Sequence, residues 1–163
     1  MENRLEKLRC IIDELIYSSQ AEIGRYFSHL YAVSRFGALL ALKRNLNPEI
    51  AATCGMLHDI YQVTAGTSEQ HAMEGAKVAE KILKEVNLYS NEEITLTTTA
   101  ISRHSDKEII HEPYDEVLKD ADVMCHYFYN TDFSIHFANQ FPFLERERVR
   151  YENILQELGF DHD

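Results

Sequence analysis

Residues that break regular structure are scarce in this sequence. Its 163 residues include only 6 glycines and 3 prolines. Because β-sandwiches and β-barrels need frequent turns, this scarcity argues against both and favours long helices. The longest uninterrupted apolar run, residues 36–42, is far too short to cross a bilayer, so we expect no membrane partner.

Cysteine is scarce as well. Cys10, Cys54 and Cys125 are odd in number, lie far apart in the chain and form no CxxC pair. The number and spacing of these cysteines are not those of a protein held together by disulfide bonds. They predict a reduced, cytoplasmic protein in which the thiols are small core residues.

Positive charge is in short supply. Sixteen Lys and Arg residues face 27 Asp and Glu residues, which gives a formal net charge of −11. An acidic surface repels nucleic acid and anionic membranes, so we expect neither as a partner. An anionic substrate would bind against this field, and its site would need local positive charge, which a bound metal can supply.

The composition is otherwise that of a globular domain, with 45% hydrophobic and 26% charged residues. Hydrophobic periodicity and helix start signals predict seven helices and no strand, hence an all-α bundle. The predicted helices begin near residues 5, 19, 48, 67, 90, 113 and 144, and a polar loop is expected over residues 61–70. Residues 94–100 also alternate as a strand would, but a capping box formed by Ser90 and Glu93 favours a helix.

A His-Asp pair stands at the end of an apolar helix. His58 and Asp59 follow the apolar sequence Gly55-Met56-Leu57. Two strong ligands in such a position are costly to bury unless something pairs with them. Taken alone, the motif leaves two interpretations open: a metal site, or a histidine that caps the carbonyls of a helix end.

The wider pattern resembles a known family. The stretch FSHLYAVSRFGALLALKRNLNPEIAATCGMLHDIYQ and the later stretch LKDADVMCHY resemble the HD-domain metal-dependent phosphohydrolases. The resemblance implies that His29, His58, Asp59 and Asp122 are metal ligands. Asp120 competes with Asp122, because both flank the same apolar stripe, and only the Ala-Asp pairing of the family selects Asp122.

Two more histidines extend the resemblance. EQHAMEGAKVAEKIL and AISRHSDK are similar to motifs of the two-metal HD proteins, which include the symmetrical dinucleoside-tetraphosphate hydrolases. They add His71 and His104 and complete a six-ligand set. On this resemblance the chain is a single HD domain over 1–163. Its metal-binding core would cover about 19–130, and an aromatic segment with a C-terminal helix would follow over 127–163.

The resemblance implies a phosphohydrolase that acts on a nucleotide or another small phosphate ester or anhydride. Two divalent ions, iron or manganese with zinc, cobalt or nickel as alternatives, would share Asp59 and hold a bridging hydroxide as nucleophile. Two other functions use the same fold: a mixed-valence di-iron oxygenase with these six ligands, and a non-catalytic sensor that binds metal and nucleotide.

One departure from the family affects catalysis. Where many relatives have a catalytic lysine or glutamate shortly after the His-Asp pair, this chain has the neutral Gln62. The candidates for a catalytic or phosphate-binding cation are therefore Arg103 and Lys107, which flank His104, and Lys119, one turn before Asp122. Charges of this kind are more often solvated surface residues, and we expect them at the surface.

The remaining chemistry-bearing residues have plainer interpretations. His126, one turn after Asp122, is either an outer partner of a metal ligand or a core histidine. His111 is expected at the surface. The aromatic stripe of Phe133, Phe137 and Phe141 is interpreted as a cover over the core or as the contact of a homodimer.

Overall fold

The chain folds into helices alone throughout the part that the computed structural model describes, residues 3–19, 23–129 and 144–160. These residues form eight helices and no strand, which confirms the all-α prediction. The helices are α1 Arg4–Ser18, α2 Ile23–Lys43, α3 Pro48–Leu57, α4 Ile60–Ala65, α5 His71–Val86, α6 Asn91–Arg103, α7 Pro113–Tyr129 and α8 Leu144–Leu158.

Local signals place most helix starts. Asn47 caps α3 with its side chain and precedes a proline at the first helical position. The predicted capping box of α6 is present, since the Ser90 side chain accepts from the Glu93 N–H and the Glu93 side chain accepts from the Ser90 N–H. Ser19, where the start of α2 was predicted, is the C-cap of α1. Residues 20–22 and the aromatic stripe of Phe133, Phe137 and Phe141 lie outside the described residues.

The predicted loop over residues 61–70 was wrong in its first half. Helix α4 occupies Ile60–Ala65, because Ile60 and Val63 lie one turn apart and are both buried. The start of α5 was also predicted too early. Gln70 has a left-handed backbone and Thr67 accepts from the nearby Glu69 N–H, so no capping box forms and α5 begins at His71.

The core thiol prediction holds for two of the three cysteines. Cys54 and Cys125 are buried, but Cys10 is exposed. The buried stripe of α1 consists of Leu8, Ile12 and Ile16. Cys10 lies two residues after Leu8, about 200° around the helix, and therefore faces away from the core.

Helix α3 is the centre of the molecule. Every residue from Ile50 to Leu57 is buried, and α3 packs against α1, α2, α6 and α7. Because His58 and Asp59 directly follow α3, they also lie in the interior, and both are buried. Among the described residues, no helix combines the length and the apolar composition that a membrane span requires.

Helices α2 and α3 meet at Gly55. A Cβ atom built there would lie 2.5 Å from the Ser34 backbone nitrogen of α2, and 2.6 Å from its Cα. Only a glycine allows this approach, because the obstructing atoms are backbone and cannot turn aside as a side chain would. The contact brings the helix that carries His29 against the helix that ends at His58.

We expect Gly55→Ala to destabilise the protein, because the added methyl group must push α2 away from α3. The free energy of unfolding should fall by about 1–3 kcal/mol, as for other overpacked cores. Urea unfolding followed by circular dichroism measures it. The matched control is Gly24→Ala in the partner helix α2, where a Cβ meets nothing within 4 Å. This control should cost no stability, and equal losses in both variants would contradict the close-approach argument.

Candidate metal centre

Six side chains predicted to be metal ligands converge at one place in the fold. They come from six helices or helix ends, and most stand where a helix begins or stops. The six are His29 within α2, His58 at the end of α3, Asp59 before α4, His71 opening α5, His104 after α6 and Asp122 within α7. A residue at a helix end can direct its side chain into a junction between helices, and four of the six residues stand at such ends.

Four of these residues form a first cluster. The Nε2 atoms of His29 and His58 lie 3.0 Å apart. Asp59 Oδ2 is 3.5 Å from each of them. Asp122 Oδ1 is 3.4 Å from His29 Nε2 and 3.8 Å from His58 Nε2. The donor atoms of His29, His58 and Asp59 are therefore close enough to share one small cation, and Asp122 lies beside the two histidines.

A second cluster adjoins the first and shares Asp59. The Nε2 atoms of His71 and His104 lie 3.2 Å apart, and Asp59 Oδ1 is 3.6 Å from each. The two oxygens of Asp59 thus face different histidine pairs. This is the arrangement expected of a carboxylate that bridges two ions.

The donor atoms fit divalent transition metals. Two nitrogens bound at about 2.0–2.1 Å and at right angles on one ion stand about 3 Å apart, which matches both histidine pairs. Asp59 Oδ1 and Asp122 Oδ1 are buried and have no hydrogen-bond partner among the described residues. An unpaired buried carboxylate oxygen is costly, and a cation removes that cost. Imidazole combined with carboxylate suits iron, manganese, zinc, cobalt and nickel.

Backbone contacts orient three of the histidines. The Nδ1 atoms of His58, His71 and His104 lie 2.8, 2.9 and 2.7 Å from carbonyl oxygens three residues earlier, those of Gly55, Ser68 and Ile101. A carbonyl only accepts, so each Nδ1 carries the proton and donates. The lone pair of each Nε2 then points into the cluster, as metal-binding histidines require.

Cys125 gives His29 the corresponding partner. Its buried Sγ lies 3.3 Å from His29 Nδ1. Sequence reasoning assigned this thiol to core packing alone and missed the contact. The available signal was its position on α7, three residues after Asp122, which places both side chains on one face of the helix.

Burial and the neighbouring carboxylates oppose each other at two histidines, and a different one of the two prevails at each. Burial alone would lower the pKa of His29, but the adjacent carboxylates of Asp122 and Asp59 raise it to about 12. Burial lowers the pKa of His58 to about 4, against the opposing pull of the two carboxylates. The two carboxylates therefore make this site attractive to positive charge.

Both carboxylates stay ionised in spite of their burial. Burial would raise the pKa of Asp59, but the neighbouring His58 and His104 hold it well below its usual range. Burial would also raise the pKa of Asp122, but the ammonium of Lys107 and the neighbouring His29 hold it well below its usual range. Two permanent negative charges at one buried point form a cation site.

Asp120, which competed with Asp122 in the sequence, points elsewhere. Its carboxylate forms ion pairs with Arg44 at 2.7 Å and with Arg150 at 2.8 Å. Asp120 and Asp122 are two residues apart on α7, so their side chains leave the helix in different directions. The structure brings Asp122 into the cluster and leaves Asp120 among arginines.

The three candidate cations differ in what they contact. Lys107 Nζ lies 2.5 Å from Asp122 Oδ2 and 3.0 Å from the carbonyl oxygen of His104. Arg103 instead forms an ion pair at 2.9 Å with the buried Asp115. Lys119 is fully buried, where Nζ meets the Ile109 carbonyl, His111 and Glu116. The expected surface positions are wrong for Lys107 and Lys119, whose side chains are 11% exposed and fully buried, respectively.

His126 stands at the edge of the first cluster. Its Nε2 is 3.5 Å from Asp122 Oδ1, and its ring stacks on His29 at 5.4 Å between centroids. Its Nδ1 is 3.4 Å from Glu147 of α8. With 46% of its side chain exposed, His126 is not a core histidine, which leaves the interpretation as an outer partner of Asp122.

Comparison with known proteins agrees with this geometry. The HD domain family model matches residues 26–126, a range that contains all six converging residues and more than half of the chain. No curated protein and no solved structure matches the chain. From the all-helical fold, the His-Asp cluster and the extent of the match, the chain belongs to the HD domain family.

Proposed function

We propose that this HD domain is a metal-dependent phosphohydrolase with two metal ions, acting on a nucleotide or another small phosphate ester or anhydride. The observation that supports it best is the position of Asp59. Its two oxygens face two separate histidine pairs, at 3.5 Å and at 3.6 Å. Membership of a superfamily of metal-dependent phosphohydrolases supports the same class of reaction.

The proposed ligands divide between two ions. His29, His58, Asp59 and Asp122 hold the first, and Asp59, His71 and His104 hold the second. When bound, such a pair polarises phosphoryl oxygens and lowers the pKa of water, so that hydroxide is available as nucleophile near neutral pH. Iron and manganese are our first choices because they occur in the two-metal proteins that the sequence resembles.

Charge favours two ions over one. Four neutral imidazoles and two carboxylates contribute −2, and two divalent ions contribute +4, which leaves +2 to attract a phosphate and a hydroxide. A single divalent ion would leave the site neutral. This local charge is needed because the chain as a whole carries −11.

A cation beside the ions would complete the phosphate site. Lys107 is the better candidate, because its ammonium touches Asp122 and the carbonyl of His104. An ammonium has three N–H groups, and the third is the one that a substrate oxygen would use. Arg103 is the second candidate, and its ion pair with Asp115 would have to open.

We expect close to two transition-metal ions per chain in protein purified without chelator. Replacing either His71 or His104 with Ala should lower this to about one, because only the second ion loses a ligand outside Asp59. Elemental analysis measures the ratio. His111→Ala is the control, since His111 contacts Lys119 and lies outside the six. Full occupancy in both ligand variants would contradict the two-metal assignment.

The two aspartates of α7 form a matched pair. We expect Asp122→Asn to abolish activity and to lose the ion held by His29 and His58. Asp120→Asn should keep both ions but unfold at a lower temperature, because Arg44 and Arg150 lose an ionic partner. Metal analysis with thermal unfolding separates the two effects. The reverse pattern would mean that the metal ligand is Asp120.

Hydrolysis of phosphate esters should stop on chelation and should survive, or rise slightly, from low to moderate ionic strength. The attraction of the substrate is local, whereas the field of the acidic surface is repulsive and is screened by salt. A phosphatase panel assayed at several salt concentrations measures both effects. A steep fall of kcat/KM with salt, or activity that resists chelation, would contradict the mechanism.

Two other outcomes would redirect the assignment. Tight nucleotide binding without turnover would indicate a sensor, for which the neutral Gln62 is the sequence argument. A product that forms only with dioxygen would indicate a di-iron oxygenase. Cytoplasmic location and homodimer formation stay predictions.

A further inference from the structure

Helix α8 contacts the loop that carries Lys107. The guanidinium of Arg150 donates from Nε to the Lys107 carbonyl oxygen at 2.8 Å. Its other nitrogens lie 2.8 Å from Asp120 Oδ1 and 2.8 Å from Glu116 Oε2. With 13% of its side chain exposed, Arg150 is held on three sides and fixes the loop against α7. The match to the HD family ends at residue 126, so α8 lies beyond the matched range.

Lys107 connects the contact with Arg150 to the cluster of candidate metal ligands. Its main chain is held by Arg150, and its Nζ lies 2.5 Å from Asp122 Oδ2. The side chain is 11% exposed. The loop between α6 and α7 contains no helix of its own. The contact with Arg150 therefore restrains the backbone from which Lys107 reaches the site.

Asp122 is oriented as a result. Since Oδ2 is engaged by Lys107, Oδ1 is the oxygen that faces His29 and His58. Oδ1 is buried without a hydrogen-bond partner among the described residues. A charge-assisted hydrogen bond on one carboxylate oxygen prevents the group from rotating and presents the other oxygen to a cation.

We propose that Arg150 is a positioning residue for the metal centre: by holding the carbonyl of Lys107 it keeps Lys107 on Asp122 Oδ2 and presents Asp122 Oδ1 to the first ion. The inference rests on the proposed metal-binding function and makes the C-terminal helix a support of the site. Arg150 acts through two intermediaries, so its removal changes metal affinity at one ion and not at the other.

Cobalt binding tests the proposal without any assay of activity. Co²⁺ is titrated into the metal-free full chain and followed by its visible absorption, and the same titration of His71→Ala, which keeps the first site, assigns the bands to each site. Arg150→Met and Lys107→Met should each weaken the ion at His29 and His58 by roughly 10- to 100-fold, the usual effect of losing an outer partner of a ligand. The ion at His71 and His104 should bind as in the wild type.

Arg44→Met is the matched control. Arg44 is also largely buried and also pairs with Asp120 and, through Glu157, with α8. These contacts involve neither Lys107 nor its loop. It should lower the unfolding temperature and leave both cobalt affinities unchanged. If Arg150→Met does not fold, Arg150→Lys, which keeps the charge but lacks the guanidinium fork, carries the same expectation.

The double variant Arg150→Met with Lys107→Met identifies the route. Since Arg150 acts through Lys107, the double variant should bind cobalt no more weakly than Lys107→Met alone. Additive losses would overturn the proposal, as would wild-type affinity in Arg150→Met or in Arg150→Lys. With any of these results the wild-type protein would still bind two ions, so the proposed function would stand. A wild-type chain that binds no cobalt would instead overturn the proposed function, and this inference with it.

Discussion

Two carboxylates buried at one junction are the constraint on which the rest of the site depends. Asp59 and Asp122 are both nearly inaccessible to solvent, and each leaves one oxygen without a hydrogen-bond partner among the described residues. Buried charges of one sign are stable only when positive charge or donors surround them. Four imidazoles and the ammonium of Lys107 provide part of that environment, and divalent cations would provide the rest.

The bundle is arranged so that this junction exists. Helix α3 is buried along most of its length and ends where His58 and Asp59 begin. The close contact at Gly55 brings α2 alongside it, which places His29 within 3.0 Å of His58. Helices α5 and α6 bring His71 and His104 to the opposite side of Asp59. Packing density and the chemistry of the site are therefore coupled, because a shift of α2 against α3 moves a histidine.

A second layer of contacts surrounds the six side chains and fixes their orientation. Backbone carbonyls hold Nδ1 of three histidines, and Cys125 holds that of His29. Beyond them, Arg150 of α8 holds the loop of Lys107. The charge of these groups does not change in the proposed reaction. Their effect is to reduce the number of orientations in which the inner side chains stand, so that a cation meets donors already in place.

The sequence by itself determined the helical class, most helix starts and the six residues that converge. Apolar periodicity and capping residues act over a few positions, so they can be read locally, and the His and Asp motifs kept the order of the HD family. The short helix α4 was missed because its apolar stripe has only two members, Ile60 and Val63.

Periodicity could not decide between Asp120 and Asp122, which only the family motif and then the tertiary structure separate, and only the tertiary structure gave Lys107, Cys125 and Arg150 their partners. Periodicity placed both aspartates beside the same stripe of α7, while their partners come from α2, α3 and α8. Arg44, Lys107 and Arg150 are distant from one another in the chain, and a local sequence pattern does not indicate which residues they will contact. Partner choice in a buried site follows from packing, because the free energy of a charge there depends on every helix that surrounds it.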